Sequence, residues 1–379
     1  MKIELFAMER MQSTWENLVE FNLSESGVHP MRVAELFDTE AERQDLLQQE
    51  ICYTQSNGTI ELRERISALY PATTIEHVEV TNGGSEANFV VCWKLLEPGD
   101  EVVMMVPNYG QTLGLAKAFA GTMRDWPLVA DYKEGRWRPD LDRLSSLVNP
   151  RTKLIVICNP NNPTGARIRA AELDEIAAIA ARHGSWVLSD EIYRGAEIDG
   201  QETPSMWGRY ERTIVTSGLS KAYGLPGLRI GWIVGPPPVI ASTWSYHDYT
   251  SIAPGALSDR LARVALTPGR RAKILDRTRA IIRENLPVTT DWLSSHGDEF
   301  KYIPPEAGAI IYVHYTLPVN STALVNRLRE EKSVLIVPGD HFGMDGYLRI
   351  GTGSQTGYLR AGLDRLHALL AALGAAAGQ

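Results

Sequence analysis

The chain has 379 residues, of which 44% are hydrophobic and 22% charged, with a formal net charge of −8. This is the composition of an ordinary soluble globular protein, long enough for two domains or one large domain with a smaller lobe. The acidic balance provides no basic field to gather nucleic-acid phosphates. Cys52, Cys92 and Cys158 lack Cys-x-x-Cys spacing and a histidine cluster, which speaks against a disulfide framework or a structural metal and fits a reducing compartment.

Charges interrupt the N-terminal segment Met1–Arg10 where a signal peptide needs an unbroken apolar core. The longest apolar runs, Val102–Val106 and Leu154–Cys158, are of strand length. A cytoplasmic protein with neither a membrane nor a nucleic-acid partner is expected.

Residues 1–20 read as an amphipathic arm, with Trp15, Leu18 and Phe21 at roughly helical spacing, followed by the polar loop 22–30. A helical pattern over 31–50 leads to the turn-rich loop 53–59 and a helix over 60–69. Strands and helices then alternate: strand Val78–Thr81, glycine turn 82–86 and helix 87–96; strand Glu101–Val106 and helix 111–120; strand Lys153–Cys158, turn series 159–165 and helix 170–183; then strands at 186–189, 212–216 and 230–234. Such alternation predicts a mostly parallel sheet covered on both faces. From about residue 254 the pattern becomes α+β: a helix-rich region to 297, strands at 302–303 and 309–314, a helix over 321–331, strands at 334–337 and 347–350, and a terminal helix.

The stretch Ser217-Gly-Leu-Ser-Lys221 sets one lysine among small residues, with Arg229 eight positions on. A lysine in a tight, partly desolvated setting becomes a usable amine nucleophile for a Schiff base with a carbonyl cofactor. A nearby arginine can hold a fixed anion such as a phosphate ester. In an open parallel sheet, ligands sit beyond the carboxyl ends of the strands. Gly83-Gly84-Ser85, Tyr109, Asn162, Asp190, Tyr193, Lys221 and Arg229 all fall just after predicted strands. Taken singly, these segments read as turns and helix caps, but turns and caps leave their order along the chain unexplained.

With that order the chain resembles the class I/II aminotransferases, fold-type I enzymes that use pyridoxal 5′-phosphate, from Asn22 to about Arg349. The resemblance implies a large cofactor-binding α/β domain over 40–260, with a mostly parallel seven-stranded sheet between helices. A small α+β domain would comprise 1–39, including the N-terminal arm, and 261–379. Lys221 matches the Schiff-base lysine that also shuttles the proton, and Asp190 the partner of the pyridinium nitrogen. Tyr193 and Asn162 match donors to the ring's phenolic oxygen, and Tyr109 the stacking aromatic. Gly84 and Ser85, at a helix N-terminus, with Ser220 and Arg229, match the phosphate site. Tyr53 matches a tyrosine reaching the phosphate of the neighbouring subunit, which implies a homodimer with shared active sites. Arg349 matches the clamp on the substrate α-carboxylate. Asn162 and Gly27 also belong to the implied substrate site, with Gly27 in the Ser24–Val28 loop, which replaces a glycine-acid-proline loop that covers the substrate.

The implied reaction moves an amino group between an L-amino acid and a 2-oxo acid. Elimination, cyclisation or oxidation on the same scaffold remain alternatives. The Ser24–Val28 loop and the Gly-Leu-Ser-Lys motif are similar to a capreomycidine synthase-like subgroup, whose members run elimination and ring closure. One departure stands out. Gly218 occupies the position where many members have a serine or threonine as a phosphate ligand, leaving Ser217 or a residue of 246–252 to substitute, or one contact fewer.

Overall fold

A computed structural model describes residues 2–377. The chain starts with helix α1 (Ala7–Trp15), strand β1 (Phe21–Asn22), and helices α2 (Glu40–Leu47) and α3 (Ile60–Ser67). The alternating part comprises β2 (Val78–Thr81), α4 (Gly84–Leu95), β3 (Glu101–Val106), α5 (Gly110–Phe119), β4 (Thr122–Asp131), β5 (Arg136–Pro139), α6 (Leu141–Leu147), β6 (Thr152–Cys158), α7 (Ala170–His183), β7 (Trp186–Asp190), β8 (Thr213–Gly218) and β9 (Gly231–Val234). Helices α8 (Pro237–His247), α9 (Ala256–Ala265) and α10 (Pro268–Ser294) follow. The chain ends with β10 (Phe300–Tyr302), β11 (Ile310–Tyr315), α11 (Ser321–Lys332), β12 (Val334–Leu335), β13 (Val337–Pro338), β14 (Tyr347–Gly351) and α12 (Thr356–Ala377).

The large sheet has the order β2-β9-β8-β7-β6-β3-β4-β5. Strand β9 runs antiparallel to both neighbours and β5 antiparallel to β4, while the other pairings are parallel. Residues Leu154–Cys158 of β6 are buried throughout, as a strand covered by helices on both faces requires. A second sheet, β10-β11-β14-β13, is antiparallel. Strand β1 pairs in parallel with β12 and ties the N-terminal segment to this part of the chain.

The large sheet has eight strands where seven were expected. Six of the eight match the strands read from the sequence, and the other two form the β4–β5 hairpin, followed by α6, in a stretch where the sequence shows no element. Strand β4 is half exposed and carries Arg124, Asp125 and Pro127, so it lacks the apolar run that marks the central strands. Its one fully buried anchor is Trp126, whose indole N–H donates to the Asp140 carbonyl.

Two further expectations change, and one helix appears in a stretch with no assigned element. The helical pattern over 31–50 divides into a 3-10 turn at Val33–Leu36 and α2, because Thr39 and Glu42 form a reciprocal capping box that starts a new helix. The strand expected over 334–337 splits, with β12 on β1 and β13 on β14. Helix α8 begins within Pro236–Pro238, where proline at the first helical position is compatible with a start but resembles a loop in sequence.

Helix α8 packs over β2 and buries a charged cluster beside α4. Glu79 of β2 and His247 of α8 are both fully buried, with His247 Nδ1 3.6 Å from Glu79 and Nε2 3.2 Å from Glu86 at the start of α4. The Thr243 hydroxyl donates to Glu79. Burial pushes the Glu79 carboxyl up to about 7, against the opposing pull of Thr243 and His247. The folded protein therefore holds this proton to higher pH than the unfolded chain, whose glutamate ionises near 4.5. The stability that the group contributes is present below about pH 4.5 and is lost as pH rises towards 7. Glu79→Gln is expected to flatten this part of the stability–pH curve, measured by chemical denaturation from pH 4.5 to 8. An unchanged slope contradicts the assignment.

Candidate active site

Strand β7 ends on Asp190, with Glu191 next, and backbone alternation sends the two carboxylates to opposite sides. Glu191 is fully buried and accepts hydrogen bonds from Ser205 Oγ (2.8 Å) and the Met206 N–H (3.0 Å), a structural anchor. Asp190 faces a cavity of about 330 Å³ at the carboxyl ends of the strands. One of its oxygens accepts from Asn88 Nδ2 at 3.0 Å and the other from the Ile192 N–H at 3.1 Å. Burial pushes its carboxyl up, partly offset by those two donors. Asn88 is itself fixed by the Thr216 hydroxyl, which donates to Asn88 Oδ1 at 2.7 Å. Sequence reasoning missed Asn88. The available signal was its spacing, one helical turn after Gly84 on the face that looks into the site.

Helix α4 begins at Gly84, after Gly83 with φ +93°. Its Gly84 and Ser85 line the cavity together with Ser220 and Arg229. Arg229 adopts a left-handed backbone (φ 49°), and its guanidinium lies where a Cβ on Gly83 would meet Nη2 at 2.2 Å. Its side chain donates to the Pro226 carbonyl at 3.2 Å and pairs with no carboxylate among the described residues. An exposed guanidinium beside a helix N-terminus forms an anion site.

At the mouth of the cavity, Lys221 Nζ lies 3.3 Å from the Glu25 carboxylate. In place of the desolvated amine that the sequence suggests, the lysine has an ion-pair partner. The Lys221 ammonium, against opposing desolvation, holds Glu25 below the usual carboxylate range, and Arg349 adds to the effect. Gly27 does not line the cavity but backs this pair; a Cβ there would lie 3.4 Å from the Ser220 carbonyl and 3.6 Å from Lys221 Cδ.

Tyr193 is buried and donates its hydroxyl to Ser26 Oγ at 2.8 Å. The Tyr109 hydroxyl donates to Glu9 at 2.8 Å, and its ring meets Phe6 edge-on at 5.0 Å between centroids. Both tyrosines carry phenols pushed up by burial. Arg349, 1% exposed, donates from Nη1 to Asn162 Oδ1 at 2.8 Å and from Nη2 to the Ser24 carbonyl at 2.6 Å. Its Nε has no partner. Burial pulls this arginine down from its ordinary value, against the favourable field of Tyr193 and Glu25. The Ser24 carbonyl also accepts from Gln12 Nε2 at 2.9 Å, which joins α1 to the same loop.

The fold thus gathers Gly84, Ser85, Tyr109, Asn162, Asp190, Tyr193, Ser220, Lys221, Arg229 and Arg349 around one cavity. Tyr53 is not among them: its loop leaves it 86% exposed on the single chain. Glu9, Gln12, Glu16 and Glu25 also line the cavity and were not singled out as site residues from sequence.

The model of the family described as "Aminotransferase class I and II" matches residues 29–366. The chain belongs to the class I and II aminotransferases. A solved structure of a PLP-dependent aminotransferase from Streptococcus suis 89-1591 superposes with a TM-score of 0.91 at 32% identity, covering 98% of this chain and 99% of that one. The capreomycidine synthase of Streptomyces vinaceus is 30% identical over 308 residues, 81% of this chain and 78% of that protein. The aspartate/prephenate aminotransferase of Thermus thermophilus is 29% identical over 347 residues, 88% of each. The chain is accordingly a fold-type I enzyme dependent on pyridoxal 5′-phosphate.

The residues present fit that cofactor. An isolated carboxylate removed from water costs several kcal/mol; Asp190 faces the cavity without a cation, and a protonated ring nitrogen would supply one. The anion site at Gly84, Ser85 and Arg229 suits the phosphate. Neither substitute for the absent hydroxyl at position 218 reaches the cavity wall. Ser217 Oγ donates to the Glu191 carbonyl at 3.1 Å, and Ser251, from the 246–252 segment, donates to Glu86 at 2.6 Å.

Position 218 itself has no room for a side chain. A Cβ there would lie 2.7 Å from the Ile230 carbonyl and 3.0 Å from Gly231 Cα. Gly218→Ser is therefore expected to destabilise the fold by about 1–3 kcal/mol without tightening cofactor binding. Urea denaturation and a cofactor titration test this, and a stable variant with higher affinity contradicts it.

Proposed function

We propose that the protein is an aminotransferase that moves an amino group between an L-amino acid and a 2-oxo acid, working as a homodimer. The observation that carries this reading is Arg349, a buried arginine with an unpartnered Nε in the same cavity as Lys221 and Asp190. Such a guanidinium suits the α-carboxylate common to both substrates.

The bound cofactor supplies an electron sink for the charge left at the substrate Cα when its proton departs. With the cofactor in place, Lys221 would take the proton from the substrate Cα as general base and return it as acid. Asp190, held by Asn88 and the Ile192 N–H, would keep the ring nitrogen protonated. Tyr193 and Asn162 would serve the phenolic oxygen, Tyr109 would hold the ring, and Gly84, Ser85, Ser220 and Arg229 would bind the phosphate.

The homodimer is supported by an apolar surface around Tyr53. Leu47, Ile51, Tyr249 and Ile252 are all more than half exposed. They lie on segments joined by hydrogen bonds from Thr54 to the Pro254 carbonyl and from Trp244 to Ser56. Exposed apolar surface of this kind marks an interaction site. In this arrangement Tyr53 serves the phosphate site of the other copy.

Elimination or cyclisation is the second reading. It is favoured by the similarity to capreomycidine synthase, at an identity level with that to the aspartate/prephenate aminotransferase. The deciding experiment mixes cofactor-loaded protein with single L-amino acids and no oxo acid. Transamination predicts one 2-oxo acid per active site and then a stop. Lys221→Ala is expected to slow that half-reaction by at least about 10²-fold while the protein remains folded. Continued release of ammonia or of a cyclised product moves the assignment to the second reading.

A further inference from the structure

One wall of the cavity carries carboxylates that the cofactor chemistry does not use. Glu9 and Glu16 lie on α1 and at its C-cap, with Gln12 between them. Their spacing of three and four residues puts all three on one helix face. Glu25 joins them from the Ser24–Val28 loop.

The three carboxylates are unequally matched. Glu9 accepts the Tyr109 hydroxyl, and Glu25 pairs with Lys221. Glu16 has no side-chain hydrogen bond or ion pair among the described residues. Its carboxyl is pushed up by burial and then by the fields of Glu25 and Glu9, against a weaker pull from Lys221. Glu16 is therefore repelled by the other two across a shared space. Among the described residues, the only cation paired with the group is Lys221, the amine that the cofactor would engage.

Arg349 supplies an independent sign of a ligand in the same cavity. It is 1% exposed, with its Nε unpartnered. The cavity thus combines an arginine whose Nε has no partner with three carboxylates that share one paired cation, Lys221.

We propose that the substrate amino acid has a cationic side chain, an ammonium or guanidinium that Glu9, Glu16 and Glu25 bind while Arg349 holds the α-carboxylate. This rests on the pyridoxal-phosphate reading above and adds the substrate class. A dicarboxylic substrate would bring a fourth negative group to this wall. An apolar side chain would cover three carboxylates and neutralise none.

The test titrates cofactor-loaded protein with L-lysine, L-ornithine and L-arginine, beside norleucine (the chain length of lysine without its ammonium) and L-aspartate, following the cofactor absorbance. The best cationic amino acid is expected to bind about 10-fold or more tightly than norleucine, with aspartate weakest. In Glu16→Gln the ratio of the norleucine Kd to that of the cationic ligand is expected to fall by about 10-fold. Norleucine or aspartate binding as tightly as the best cationic amino acid overturns the inference, as does an unchanged ratio in Glu16→Gln. A protein that takes up no cofactor fails the parent reading and this one with it. A loaded protein without charge preference fails this one alone.

Discussion

Between Gly231 and the Gly83–Gly84 peptide there is no room for a methyl group. A Cβ on Gly231 would lie 2.4 Å from Gly83 C and Gly84 N. Gly231 in turn pairs across β9 with Thr81 of β2 and Gly218 of β8. Three backbones therefore stack with no side chains between them, which presses the start of α4 against the sheet. That contact aims the first amides of α4 and sets Arg229, two residues before Gly231, beside them. It also accounts for the missing hydroxyl at 218, since a side chain there would intrude on the same stack. The anion site and the departure from the family pattern have one steric cause.

Buried carboxylates on either side of this stack meet opposite fates. Glu79 is sealed behind α8, where burial outweighs the help of Thr243 and His247, and lowers its cost by holding a proton. Glu86, nearer the surface, is opposed by burial but is pulled down to about 2 by donors from His247, Ser251 and its neighbours. Asp190 has two donors, yet it faces open space where a cation can arrive. The difference lies in what each carboxylate faces. Desolvation alone would treat them alike; the cavity makes Asp190 a receptor for positive charge, whereas Glu79 is confined to the interior.

Much of the lining of the candidate site was legible in the sequence because the chemistry expected of it needs particular residue types at the ends of apolar strands. Lys221 and Asp190 each follow a run of buried residues, and Arg229 immediately precedes one, all of which can be read without coordinates. The helix over 170–183 and the strand over 101–106 came through with the same bounds for the same reason: strong periodicity or an unbroken apolar run. The β4–β5 hairpin was illegible because a half-exposed outer strand with proline and charges has the composition of a loop. Asn88, Glu9 and Glu16 were illegible for a different reason. Each lies within or at the end of a helix, where a polar residue has the solvated face as its ordinary explanation, and only the fold shows that this face meets the cavity. Tyr53 falls outside what one chain can display, since its expected use lies on another copy.

The Ser24 carbonyl accepts from both Gln12 of α1 and Arg349. The N-terminal arm is therefore mechanically continuous with the arginine at the centre of the cavity. A second tether, Phe6 against Tyr109, lies just ahead of that helix. A displacement of the first dozen residues would be transmitted to the cavity as a loosened guanidinium, without any change to the large sheet. For protein engineering, the opening segment is a working part of the cavity wall, and an affinity tag belongs at the other end of the chain.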